Sequence, residues 1–131
     1  MKNVFYLVLL CLVAVVFTSC SSNSPRSVAE KAMDCAVKED YRGYLDYVYF
    51  SEADKEKKEG YIQMIEEKAK KNQNQDGPKM ESYKFVKEDV DEEAGRAKEV
   101  FEINYDNGST REETIDLILA DDGKWYIKMQ K

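Results

Sequence analysis

The chain has 131 residues, a net charge of −6 at neutral pH and no histidine. Without histidine, Ser-His-Asp and Cys-His catalysis are excluded, and so is a zinc site with histidine ligands. An acidic chain also lacks the clustered positive charge that nucleic acid requires. We therefore predict one globular domain with no catalytic residue, no metal site, no cofactor and no nucleic-acid partner.

The first 19 residues have the organisation of a secretory signal peptide. Residues 4–17 carry no charge, a run that is short for a membrane-spanning helix of roughly 20 residues but fits the about 7–15 apolar residues of a signal. Lys2 supplies the positive start, and small residues follow the run. The sequence FTSC at residues 17–20 resembles a bacterial lipobox, whose cysteine receives a diacylglycerol before cleavage.

The lipobox resemblance implies a lipid on Cys20 and a mature chain that begins there. The alternatives are an ordinary secretory signal or an uncleaved N-terminal anchor, with Cys20 incidental. In the lipidated form, residues 20–24 tether a single domain, residues 25–131, to a membrane. Ser21 to Ser24 span at most about 14 Å, so the domain would lie close to the bilayer. No aspartate follows Cys20, which favours the outer membrane of a bacterial envelope, facing the periplasm.

Helices are predicted in the first half of the domain. Ser24 before Pro25 indicates the start of the first helix, because serine caps free amides and proline is tolerated at the first helical position. This helix should end near Glu39, and its small-residue face includes Cys35 as a small buried hydrophobe. Asp40 should cap a second helix, which carries several aromatic residues.

A third helix is predicted from a cap formed by Ser51 and Asp54 to about Asn72, with Gly60 as a point where it can bend or divide. After the loop at residues 72–78 the apolar period changes from 3.6 to 2, which predicts strands. Strands are expected within residues 81–88, 97–105, 115–119 and 125–129, with hairpin turns at Asn107-Gly108 and Asp122-Gly123. Glu99 and Val100 break the alternation of the second strand.

The order of helices followed by hairpin-linked strands predicts an α+β fold, with N-terminal helices packed on a curved, mainly antiparallel sheet of about four strands. The sequences SPRSVAEKAMDCAVKEDYRGYLDYV (24–48) and DDGKWYIKM (121–129) resemble the opening helices and closing strand of small bacterial lipoproteins. Those proteins carry a domain of unknown function of the cystatin-like, nuclear-transport-factor-like superfamily. The resemblance implies a sheet wrapped around helices to form a cone, and it implies no activity.

Three functions are compatible with these features. The first is a lipid-anchored binding or accessory module of the cell envelope, whose partner is an unknown envelope protein or a small apolar ligand. Tyr41, Tyr44 and Trp125 are the candidate ligand-binding residues, although aromatic residues at these positions can also serve as core. The second is a small-molecule isomerase or dehydratase, with Asp116 as the nearest candidate base. The third is a protein-interaction or inhibitor domain that uses the face or edge of the sheet.

Overall fold

The computed structural model describes residues 23–72 and 77–129. The predicted signal peptide, Cys20 and the first residues of the tether lie outside this part of the chain. Asn23 and Ser24, which the sequence assigned to the tether, are parts of the fold. The Asn23 Oδ1 accepts a hydrogen bond from the Trp125 amide at 2.7 Å, and the Ser24 hydroxyl accepts one from the Ser27 amide at 3.1 Å.

The first two helices begin at the predicted caps. Helix α1 is Pro25–Val37, capped by Ser24, and helix α2 is Tyr41–Leu45, where the Asp40 carboxylate accepts from the Gly43 amide at 3.0 Å. The chain turns between them at Glu39, whose φ of 56° is left-handed. A left-handed residue commonly ends a helix because it lets the chain reverse within one residue.

The third helix starts later than predicted. A 3₁₀ turn at Lys55–Lys57 precedes helix α3, Lys58–Asn72. The Asp54 carboxylate accepts from the Ser51 hydroxyl at 2.8 Å and makes no capping bond to the 3₁₀ turn. The two side chains predicted to cap a helix therefore bond to each other, and α3 begins after them. Gly60 lies inside α3 without dividing it.

The second half of the domain is an antiparallel sheet in the order β1-β2-β3-β4. The strands are β1 Met80–Asp91, β2 Arg96–Tyr105, β3 Thr110–Leu119 and β4 Trp125–Ile127. Gly108 and Gly123 occupy the two predicted hairpin turns with φ of 81° and 79°, a region that glycine enters without steric cost. The structure thus confirms the predicted α+β fold with a curved four-stranded sheet.

The inner face of the sheet forms the core together with α1. Phe101, Ile103 and Leu117 are almost fully buried there, and α1 packs across β1, β2 and β4. The opposite face carries mainly charged and hydroxyl side chains, as the sequence predicted, so one face is solvated. Within the described ranges, no helix combines the length and apolar character needed to cross a membrane.

Glu99 and Val100 do not interrupt the pairing of β2 with β3. The pairing of β2 with β3 runs without a shift from Arg96 to Asn104, so side chains alternate regularly between the two faces. Glu99 therefore shares the inner face with Phe101, and Val100 lies on the outer face. The alternation of side-chain direction is therefore unbroken. The sequence pattern looked broken because a carboxylate occupies an inner position and a valine an outer one.

Candidate functional site

A cavity of about 770 Å³ lies between the helices and the sheet. We call it the helix–sheet cavity. Its apolar lining comes from the C-terminal half of α1, from α2, α3 and all four strands, and from the segments that follow α2 and β4. It consists of Met33, Ala36, Leu45, Val48, Ile65, Met80, Ile103, Ile115, Ile127 and Met129. The volume is within the roughly 300–1,000 Å³ of sites that bind small molecules.

Helix α2 carries the aromatic wall of the cavity and is held close to α1. A Cβ at Gly43 would overlap the Asp40 side chain and come within 2.9 Å of the Cys35 Sγ. Glycine therefore permits the close approach of the two helices. This packing brings Tyr41 and Tyr44, the residues on either side of Gly43 along α2, into the cavity lining.

Charged side chains surround the opening of the cavity on the strand side. Arg111 and Glu113 of β3 and Lys128 after β4 are exposed members of the lining. The Arg111 Nε lies 3.6 Å from a Glu113 carboxylate oxygen. Burial raises the pKa of the Tyr44 hydroxyl above its ordinary value, and the negative charge of Glu113 raises it further. Tyr44 therefore stays a neutral hydrogen-bonding group between the apolar interior and the charged opening.

The predicted ligand-binding residues separate into two groups. Tyr41 and Tyr44 line the helix–sheet cavity, whereas Trp125 is not among its lining residues. Trp125 is 9% exposed and belongs to the core cluster beneath α1. Its position on the inner face of β4 directs the ring toward α1, and Asn23 holds its backbone amide. Cys20 lies outside the described residues.

Asp116, the candidate base of the enzyme hypothesis, is half-buried and paired with Lys98 of β2 on the outer face. Asp116 nevertheless borders the cavity. Its backbone carbonyl accepts a hydrogen bond from the Lys128 amide at 2.8 Å. This agrees with the expectation that its side chain points away from the core. A base on the outer face is poorly positioned for a substrate inside the cavity.

A buried carboxylate does occur in the structure, at Glu99. Its exposure is 0%, and neither of its oxygens has a donor among the described residues. It pairs directly with Glu88 across the β1–β2 ladder. Burial raises the pKa of Glu99 to about 8, the neighbouring Glu88 carboxylate raises it as well, and Arg26 opposes the shift. Glu99 is therefore protonated at neutral pH.

The sequence does indicate the burial of Glu99. Interpreting residues 99 and 100 as a break in the alternation concealed it. Residues 97, 99, 101 and 103 have the same parity, so an unbroken strand had to put Glu99 among the core residues. Glu99 is not among the residues that line the helix–sheet cavity. Within residues 23–72 and 77–129, no group of three or more acidic or cysteine side chains is arranged to hold a metal ion.

Helices packed on one face of a curved antiparallel sheet form a fold that is also seen in a solved structure of a nuclear-transport-factor-2-like (NTF2-like) protein. A Campylobacter jejuni crystal structure described as a "Putative NTF2-like transpeptidase" is similar, with a TM-score of 0.59 and 17% sequence identity over 82% of this chain and 99% of that one. The chain belongs to the family described as Domain of unknown function (DUF4878), which matches residues 18–128. No curated protein sequence matches the chain significantly.

Proposed function

We propose that this protein is a binding module held at a bacterial envelope membrane by a lipid on Cys20, and that the helix–sheet cavity is its ligand site. The observation that carries the proposal is the cavity itself, with about 770 Å³ of space and ten apolar residues in its lining. Tyr41 and Tyr44 add polar hydroxyls to this wall. Apolar walls with a few polar groups are typical of ligand sites.

A binding role agrees better with the distribution of carboxylates than a catalytic role does. A general acid or base must lie within hydrogen-bond reach of the substrate proton. The carboxylates in the lining, Glu112, Glu113 and Asp116, are exposed or half-buried. Glu99, the carboxyl group with a strongly raised pKa, is outside the lining. An isomerase or dehydratase would need the reverse arrangement.

The tether and the α1 side of the cavity lie toward opposite ends of α1. Asn23 is bonded to the start of β4, at the N-terminal end of α1, and only residues 21 and 22 separate it from Cys20. Met33 and Ala36 line the cavity near the other end of α1. This helix has 13 residues and is about 20 Å long at 1.5 Å per residue.

Filling the cavity is the direct test of the ligand site. Ile65→Trp adds a large side chain at a half-buried lining position of α3, whereas Met64→Trp adds the same group at an exposed neighbour that is outside the lining. Each protein is purified from its native envelope, and bound small molecules are quantified by mass spectrometry. We expect Ile65→Trp to reduce the bound ligand by about tenfold or more, equivalent to about 1.4 kcal/mol. Equal amounts in the two variants would contradict the proposed site.

The lipid anchor has its own test. Cys20→Ala is expected to remove the acylated N-terminus and to leave the chain uncleaved or released from the membrane, because the lipid and not the domain provides the membrane affinity. Intact-protein mass and membrane fractionation measure both effects. Cys11→Ala, within the predicted signal peptide, is the matched control and should be processed normally. Normal cleavage and membrane association of the Cys20→Ala protein would exclude a lipid anchor.

A further inference from the structure

One wall of the helix–sheet cavity is the edge of a strand. Strand β4 pairs with β3 only from Leu117 to Leu119, and the Lys128 amide adds one bond to the Asp116 carbonyl at 2.8 Å. From Thr110 to Ile115, β3 has β2 on one side and no strand on the other among residues 23–72 and 77–129. Residues 111–116 consequently all contribute to the cavity lining.

The hydrogen-bond register identifies the backbone groups that face this open side. The Tyr105 amide donates to the Ser109 carbonyl and the Leu119 amide to the Gly95 carbonyl, both at 2.9 Å. In an antiparallel ladder the residues that bond one neighbour alternate with those that face the other side. The odd-numbered residues therefore bond β2, while Glu112 and Thr114 direct their N–H and C=O groups toward the cavity. Within the described ranges, no other backbone bonds to these groups.

The edge of β3 differs from the other free edge, that of β1. The pairing of β1 with β2 is irregular after Met80 and after Phe85, and Lys84 and Lys87 lie near the second irregularity. Bulges and lysines are devices that prevent an edge from pairing with another chain. The β3 edge carries charged side chains of its own at residues 111–113, but its pairing with β2 is regular over its whole length, without a bulge that would bend the strand away. Its backbone groups therefore remain geometrically accessible to a further strand, and they border the helix–sheet cavity.

The charges beside the edge favour a basic occupant. On the outer face, Lys84, Glu102 and Glu112 lie side by side across three strands. Glu102 and Glu112 are directly opposite each other, and like charges in this position destabilise a sheet. A cationic side chain beyond Glu112 would offset this repulsion. A second copy of this chain, with its net charge of −6, is disfavoured by the same electrostatics.

We propose that the β3 edge binds an extended peptide that adds a fifth strand, with apolar side chains entering the helix–sheet cavity and a basic residue beside Glu112. This inference rests on the proposed function and specifies the chemical class of its ligand. The unpaired backbone N–H and C=O groups of Glu112 and Thr114 support a peptide over a membrane lipid, because an extended peptide can bond to both and a lipid has no backbone to pair with them. Backbone hydrogen bonds provide affinity and alternate side chains provide selectivity in this mode of recognition.

The test uses an acetylated, amidated hexapeptide of alternating lysine and valine as the probe, titrated against the full protein by calorimetry. In one derivative every second amide nitrogen of the peptide is N-methylated, and in the other derivative the remaining amide nitrogens are N-methylated. In a bound strand one set faces β3 and the other faces away. We therefore expect one derivative to lose at least about tenfold in affinity and the other to bind within about threefold of the parent, a tenfold change being about 1.4 kcal/mol.

Two variants of one residue test the same contact from the protein side. Thr114→Pro removes an edge N–H that makes no bond to β2, which an edge strand tolerates, and it should abolish peptide binding. Thr114→Val keeps the N–H and should bind the peptide as the wild type does. Equal affinities of the two methylated peptides would overturn strand addition, as would a homodimer in sedimentation that Thr114→Pro dissociates.

A neutral apolar dye, N-phenyl-1-naphthylamine, separates failure of this inference from failure of the proposed function. Dye binding that Ile65→Trp removes, together with no binding of any hexapeptide, would overturn the peptide inference and leave the cavity as a ligand site. Absence of both dye and peptide binding would overturn both. Displacement of the dye by the parent hexapeptide, and not by the inactive methylated derivative, is the result that supports the peptide ligand.

Discussion

Replacing Glu99 with glutamine is expected to remove most of the decline in stability that the wild-type domain shows as the pH rises from 4.5 to about 8. Glu99 is fully buried, and the groups that face it are Glu88 on the neighbouring strand and Arg26 and Glu30 on α1. The amide of glutamine is neutral and has nearly the shape of the protonated carboxyl. The substitution thus keeps the packing of residue 99 and removes its titration.

The direction of the pH effect on stability follows from the pKa of Glu99 in the folded and the unfolded chain. Its pKa is about 8 in the folded chain, against an ordinary value of 4.5. Between these values the folded chain binds a proton that the unfolded chain releases, so raising the pH favours unfolding. The stabilisation is fully present below pH 4.5 and is lost as the pH rises through about 8. One proton gives a maximum slope of about 1.4 kcal/mol per pH unit.

Urea unfolding at half-unit steps from about pH 5 to about pH 8.5 measures the free energy of unfolding of each protein. Glu102→Gln is the matched control, because Glu102 is exposed on the outer face of the same strand, and it should retain the wild-type slope. A slope in the Glu99→Gln protein that equals that of the control would show that another group is responsible.

Phe101→Ala is expected to lower the free energy of unfolding by about 3–5 kcal/mol, because it removes a buried ring and leaves a cavity. Phe101 is 0% exposed. Its ring meets Tyr83 and Phe85 edge-on, with centroids 5.5 and 6.0 Å apart. A loss of this size is a large part of the roughly 5–15 kcal/mol that stabilises a typical domain.

The matched control for this prediction is Phe85→Ala, which removes the same ring from a half-buried position of the same aromatic cluster. The Arg26 guanidinium lies 3.7 Å from the centre of the Phe85 ring, and this partly exposed contact contributes less than full burial. Denaturant unfolding of both variants at one pH gives the comparison. A loss from Phe85→Ala as large as that from Phe101→Ala would mean that Phe101 is not the centre of the core.

The candidate site could be predicted only in part. Tyr41 and Tyr44 were accessible to sequence reasoning because they recur at helical spacing with Leu45, which indicates one face of a short helix. The residues opposite them in the cavity, Met80 and Arg111, belong to strands far along the chain. No local pattern relates their positions to α2. Trp125 had the same aromatic character as the tyrosines, and its location was decided by which end of α1 covers β4.

Local sequence patterns were sufficient to predict the α+β class, the capped starts of α1 and α2, the hairpin turns and the two faces of the sheet. Each of these depends on residues close together in the chain, through capping hydrogen bonds, glycine at positive φ and side-chain alternation. The folded structure was needed to show that β4 is too short to cover β3, that a cavity borders the open edge, and that Glu99 is fully buried opposite Glu88. These features arise from contacts between distant segments, whose strand lengths and burial no local pattern specifies.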